Sequence, residues 1–185
     1  MTTSSEMAKN SEATAISRDK ISAPLRYILN LKPELIKVFH QGPGRENNPD
    51  RKKIKKLSKS VIEYDPYHGP SDRDVLRKGN CTQAISIYIL NVLPHKQRRS
   101  ALLDIYRTLN DDGVAYIAVR SKSDIETSRR DTWISHEQGY IVPRGESSNF
   151  QKGFSAKELE QELYRDFSYV EVFDRSHFIL GVAEK

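Results

Sequence analysis

The chain is poor in several things, and each shortage excludes something. It has a single cysteine, Cys81, so no internal disulfide can form, and a reducing, cytoplasmic location is expected. Its five histidines are scattered and share no ligand spacing with that cysteine, so no metal site is expected. No apolar run approaches the ~20 residues of a membrane span, and the N-terminus lacks the basic and apolar halves of a secretory signal. No internal repeat is visible. Hydrophobic residues are only 37% of the 185, against 30% charged. The shortfall is concentrated in residues 1–13, MTTSSEMAKNSEA, which hold almost nothing to bury and are expected to form a disordered tail. The remainder, 14–185, suits one domain with a real core. The net charge of +5 permits an acidic partner such as nucleic acid, though it equally suits ordinary solubility. The oligomeric state is not legible.

What is present is an alternation of periods. A helix is expected near Pro24–Leu31, with Ile21, Leu25, Ile28 and Leu29 on one face, then a short buried strand over 35–39. Asn48-Pro49 opens a helix reaching about Lys59, because asparagine caps well and proline is tolerated at the first position. Strands follow at 61–64 and 84–88, then a helix from His95 to Asn110, which Asp111-Asp112-Gly113 is expected to end. A fourth strand covers 114–119. Residues 121–152 read as a polar, irregular insertion on the substrate side. Ser155 and Glu158 have capping-box spacing, and two strands, 169–173 and 177–182, close the chain as an antiparallel hairpin. The expected class is α/β: a Rossmann-like, mostly parallel sheet of about six strands with helices on both faces. The reversed strand is expected at an edge.

In such a sheet ligands bind beyond the carboxyl ends of the strands. Gly42-Pro43-Gly44 follows the first strand, where glycine lets the backbone turn sharply and approach a ligand. Asp65 ends the second strand about 20 residues later, where a carboxylate can accept from both hydroxyls of a ribose. The plainer alternative is a tight turn and a solvated aspartate. A dinucleotide fingerprint would want glycine at position 47, which is Asn47, and Glu46 puts negative charge where a pyrophosphate would lie. A cofactor without phosphates fits better, and S-adenosylmethionine is the evident one.

With these residues in view, the sequence resembles class I S-adenosylmethionine-dependent methyltransferases, and among them a bacterial group associated with DNA phosphorothioation. The resemblance rests on TAISRDKISAPLR (14–26), GPGR (42–45), EYDPYHGP (63–70), YILNVLP (88–94) and FQKGF (150–154), in that order. It implies a bound S-adenosylmethionine, methyl transfer and a role in DNA modification. Gly42 and Gly44 would wrap the methionine part, with His40 and Pro43 also among the cofactor-binding residues. Asp65 would hold the ribose, with Pro66 and Tyr67 beside the adenine. Ser86, Ile87 and Tyr88 would line the sulfonium end, and Arg18 would pair with a carboxylate or phosphate. His40, Glu46, Thr82 and Ser86 depart from the family's pattern. They leave open a decayed, binding-only module beside a methyltransferase of nucleic acid, small molecule or protein.

Methyl transfer needs alignment more than acid–base help, so no catalytic array is demanded; Tyr88 and His68 are the polar groups best placed to touch a substrate. The DNA amino-methyltransferase tetrad is absent at 86–89, which reads Ser-Ile-Tyr-Ile. Arg129, Arg130, Trp133, Tyr140 and Arg144 combine charge with rings able to stack on a base; a loop packed by Trp133 is the plainer alternative. The basic run 51–59 reads as a solvated helix face.

Overall fold

The structure, a computed structural model, describes residues 19–66, 74, 76, 80–145 and 147–185. The expected tail 1–13 lies outside the described residues. Helix α1 (Ala23–Asn30) is capped by Ser22, whose hydroxyl accepts from Leu25 N at 3.2 Å, and it buries Pro24, Leu25 and Ile28. Strand β1 (Lys37–Gln41) has four consecutive buried residues, as a strand covered on both faces requires. Helix α2 (Pro49–Leu57) starts at Asn48, whose side chain accepts from Asp50 N at 2.9 Å. Then come β2 (Ser60–Tyr64), β3 (Cys81–Ile87), a 3-10 turn (Leu90–Val92), α3 (His95–Thr108) and β4 (Leu109–Arg120). Helix α4 (Lys122–Ser128) leads to three short strands, β5 (Ile134–His136), β6 (Gly139–Arg144) and β7 (Ser147–Gln151). Helix α5 (Ala156–Leu163) and the strands β8 (Tyr169–Arg175) and β9 (Phe178–Glu184) complete the order.

The main sheet runs β2-β1-β3-β4-β9-β8. β1 pairs in parallel with β2 and β3, and β3 with β4. Neighbouring residues of a strand face opposite sides, so Val38, Ile85 and Tyr116 join α1 and α2 in one core layer. Phe39, Ala84 and Ile117 join α3 and α5 in the other. The expected α/β class, six strands and helices on both faces are what the structure has. The capping box is present too: Ser155 Oγ accepts from Glu158 N at 3.2 Å and Glu158 Oε2 from Ser155 N at 2.8 Å.

Three expectations need correction. The reversed strand is not at an edge: β9 is antiparallel to both β4 and β8 and lies between them. The reason is burial, since Phe178, Ile179, Leu180 and Ala183 are all enclosed while β8 exposes Tyr169 and Glu171. At Gly181 an added Cβ would stand 2.4 Å from Leu163 Cδ1, so glycine lets α5 sit close on β9. Next, Gly113 does not end a helix. Helix α3 stops at Thr108, and Leu109, fully enclosed, draws the chain straight into β4, so 110–113 lie in the strand across a register shift. Finally, 121–152 is not irregular. Ser121 caps α4 by accepting from Asp124 N at 3.1 Å, and β5-β6-β7 form an antiparallel sheet with Val142 and Phe150 buried. Its composition hid it because β5 is exposed throughout. Among the described residues no helix is long and apolar enough to cross a membrane, and no cluster could hold a metal.

Candidate functional site

The parallel strands bring the ends of β1, β2, β3 and β4 to one edge of the sheet, where α/β folds place ligands. β1 is followed there by Gly42 (φ 65) and Gly44 (φ 68), both in the left-handed region. Gly42 N donates to Tyr64 O at 2.9 Å and Gly44 N to Asp65 Oδ2 at 3.1 Å, so both glycines are tied to the end of β2. Asn48 Nδ2 holds Pro43 O at 3.1 Å. Asp65 is only 5% exposed, while Pro66 is exposed beside it.

The backing of this turn is a feature the sequence reading missed. Arg51 Nε and Nη2 donate to the two oxygens of Glu63, each at 2.7 Å, and Nη1 donates to Gly44 O at 3.2 Å. Arg51 and Glu63 are both buried, and Lys55 adds a contact to Glu63 at 2.9 Å. Burial raises the Glu63 carboxyl, but the hydrogen bonds from Arg51 and Lys55 outweigh it and hold the group below its usual range. The Glu63 hydrogen bond raises the Arg51 guanidinium further. A planar fork clamped in this way fixes the turn as a lysine could not. The signal lay in spacing: Arg51 stands one helical turn before the buried Ile54, and Glu63 two residues after Val61, on the same strand face.

His40, opposite Glu63 on β2 and Ile85 on β3, is buried, and its Nδ1 has no hydrogen-bond partner among the described residues. Burial lowers its pKa to about 4, against the pull of Glu63 and Asp65, so the ring is neutral. Ser86 is also enclosed: its hydroxyl donates to Gln41 Oε1 at 2.8 Å, and Gln41 Nε2 donates to Ala101 O at 3.0 Å. Ile87 ends β3, half-buried. Tyr88 follows in the left-handed region (φ 62), an uncommon conformation for a non-glycine residue, with its N–H on Ala118 O at 2.8 Å. That bend sends Ile89 against Gly42, where an added Cβ would lie 2.1 Å from Ile89 Cδ1. Gly42 is thus required both by its φ and by this close approach. Arg18, Tyr67 and His68 lie outside the described residues.

Three of the five insertion candidates come together. The rings of Trp133 and Tyr140 are 5.9 Å apart, and the Arg129 guanidinium lies 5.7 Å over Tyr140. Tyr140 OH donates to Glu126 Oε1 at 2.7 Å, and Arg129 pairs with Glu126 at 3.5 Å. Arg130 is exposed beside them. Arg144 is at the far end of β6, about 13 Å along the strand from Tyr140. The small sheet is anchored from beneath: Arg98, enclosed on α3, donates to Gln138 Oε1 at 3.1 Å and pairs with Glu162 at 3.4 Å. Lys152, also enclosed, lies 4.5 Å over the Phe154 ring and donates to Glu158 Oε1 at 3.2 Å. Burial raises Glu158, but hydrogen bonds from Lys122 and from the Ser155 N–H and hydroxyl bring it down to about 2.

The start of α2, the natural seat for a phosphate, is occupied by the chain's own groups. Asn48 caps it, Asp50 sits in the first turn, and Asp50 Oδ1 accepts from Ser22 N at 2.7 Å. The occupied helix start therefore disfavours a pyrophosphate there.

No protein-family model matches the sequence, and no curated protein does. Solved structures do. A 1,6-didemethyltoxoflavin-N1-methyltransferase of Burkholderia thailandensis, with 1,6-didemethyltoxoflavin and S-adenosylhomocysteine bound, is 15% identical with a TM-score of 0.62, over 98% of this chain and 86% of that one. An S-adenosylmethionine-dependent methyltransferase of Methanosarcina mazei is 14% identical, TM-score 0.64, over 90% and 98%. Another, of Archaeoglobus fulgidus, is 12% identical, TM-score 0.61, over 88% and 92%. At such identities the likeness is one of fold: a Rossmann-like sheet of the kind methyltransferases use.

Proposed function

We propose that this chain is an S-adenosylmethionine-dependent methyltransferase acting on nucleic acid. The observation that carries the reading is the 3.1 Å link from Gly44 N to Asp65 Oδ2, which joins a left-handed glycine turn to a buried carboxylate at adjacent strand ends. The fold likeness to methyltransferases supports it. Asp65 would accept from the ribose hydroxyls, with Pro66 and Tyr67 at the adenine. The Gly42–Gly44 turn, with His40 behind it, would carry the methionine part. Ser86, Ile87 and Tyr88 would border the sulfonium end, Ser86 acting through Gln41 rather than by direct contact. When bound, the cofactor supplies a methyl group on a sulfonium, whose electron pair stays with sulfur on transfer. The chain's own work is to hold, orient and exclude water.

The nucleic-acid reading is supported by the Trp133–Tyr140 pair with Arg129 over it and Arg130 alongside, rings and cations of the kind that take a base and its phosphate. Arg18 and Arg144 would extend the phosphate contacts, and Tyr88 and His68 would face the acceptor. Calorimetry tests the cofactor first. S-adenosylhomocysteine is expected to bind, and Asp65→Ala to weaken it about tenfold to hundredfold, the value of hydrogen bonds to a charged group. No binding at millimolar cofactor would end the reading. Methyl incorporation into single-stranded oligonucleotides, reduced by Trp133→Ala, tests the acceptor.

One observation favours a second reading, a module that binds without turnover: Ile89 lies directly on Gly42, over the turn that would carry the methionine part. Tight S-adenosylhomocysteine binding with no transfer to any nucleic acid, heterocycle or protein would select it.

A further inference from the structure

Gly42 stands between the two halves of the cofactor edge. The order β2-β1-β3 puts the end of β1 between Asp65, after β2, and Ser86 to Tyr88, at the end of β3. Neighbouring strands are ~4.8 Å apart, so a ligand that touches both outer ends spans about 10 Å and crosses the first glycine of the turn. On the β2 side that glycine is tied down, its N–H donating to Tyr64 O at 2.9 Å. On the β3 side it is covered by Ile89, whose Cδ1 and Cγ1 fill the place where a Cβ on Gly42 would stand.

The backbone that carries Ile89 is pinned on both sides. Tyr88 N donates to Ala118 O at 2.8 Å, and Tyr88 holds φ 62, a conformation a bulky residue keeps only when its surroundings impose it. Beyond Ile89, Leu90 and Asn91 are buried in the 3-10 turn. Lys152 N donates to Asn91 O at 2.8 Å, and Arg98 Nη1 to Leu93 O at 2.9 Å. Ile89 itself is half-buried. The freedom left to it is rotation of the side chain, which for a β-branched residue is a jump between staggered wells and not a gradual yielding.

We infer that Ile89 is a gate on the cofactor edge: its side chain closes the crossing over Gly42 and turns aside to admit an adenosyl ligand reaching from Asp65 to the end of β3. The inference rests on the S-adenosylmethionine reading of this edge and adds the step by which the ligand enters. A gate lowers apparent affinity by the fraction of molecules in which it stands open, and leaves the contacts of the bound state as they are. The terminal Cδ1 methyl is the obstruction nearest Gly42. Ile89→Val removes that methyl and keeps the β-branch, and Ile89→Ala removes Cγ1 as well.

Calorimetry gives the Kd of S-adenosylhomocysteine, and surface plasmon resonance gives its association and dissociation rates. Ile89→Val is expected to tighten binding about threefold and Ile89→Ala about tenfold, through faster association with little change in dissociation. Thermal melts check that each variant is folded, valine being the milder change. Weaker binding by the variants would make Ile89 a wall that the ligand leans on. Unchanged binding would make it packing for Gly42 alone. Either result overturns the gate while binding by the unaltered chain keeps the cofactor reading. No binding by the unaltered chain or by either variant at millimolar S-adenosylhomocysteine would overturn both.

Discussion

Around the ends of β1 and β2 several enclosed groups are polar or charged: beside the apolar Val38 and Phe39, His40, Arg51, Glu63 and Asp65 are each no more than 8% exposed. Around β4, β9 and β8 they are Ile117, Leu159, Leu163, Ile179 and Leu180, with Gly181 making room for α5. One flank of the sheet thus carries charge out of water, which costs stability unless every partner is in place. The other is mainly apolar burial, with its own enclosed charges set at the margin, Arg98 against Glu162 and Lys152 against Glu158. The lesson is a division of labour: apolar packing holds the domain together, and the buried fork holds one short piece of backbone in one shape.

The largest way to break that comparison is Glu63→Ala. It leaves Arg51 buried and uncompensated, with an expected loss of about 3–5 kcal/mol in urea unfolding, together with loss of S-adenosylhomocysteine binding. A neutral result would mean that water already reaches the pair. Leu163→Ala should cost about 3 kcal/mol by the cavity it leaves, but leave cofactor affinity unchanged in the folded fraction. If both properties fall, the two flanks are coupled and the division fails. His40 sharpens the contrast through pH. Its folded pKa of about 4 lies below the ordinary 6.5, so the unfolded chain takes up the proton first. The stability it contributes is complete above pH 6.5 and is lost as pH falls through 4, amounting to about 2 kcal/mol by pH 5. His40→Asn should flatten that part of the profile. The smallest expected effect is Ser155→Ala, about 1 kcal/mol for one helix cap, again without change at the cofactor edge.

Much of the fold was legible where local and global signals agree. Asn48-Pro49 and Ser155–Glu158 start helices by chemistry that needs no tertiary context. Gly42 and Gly44 mark a turn that only left-handed residues make. Gly113 misled because a helix-stop signal competed with Leu109, and burial of a leucine outweighs a terminator. The run Phe178 to Ala183 carried its own clue, since unbroken apolar character implies cover on both faces and hence an inner position. The polar alternation of β5–β7 was too exposed to read. At the site, Gly44 and Asp65 were legible from spacing. Arg51 was hidden because it sits in a run of lysines that look alike until the helix face is counted from Ile54. The leaning of Ile89 on Gly42 had no local signal, because it depends on how two strand ends meet.

The insertion of β9 between β4 and β8 also dictates when the molecule can be finished. During synthesis the first four strands and β8 emerge from the ribosome before residues 178–184, so β4 and β8 wait with bare backbone edges for the strand that joins them. A chain released before Phe178 would keep its glycine turn and yet offer two sticky margins to any neighbour. In this architecture a late truncation is a hazard of aggregation before it is a loss of activity.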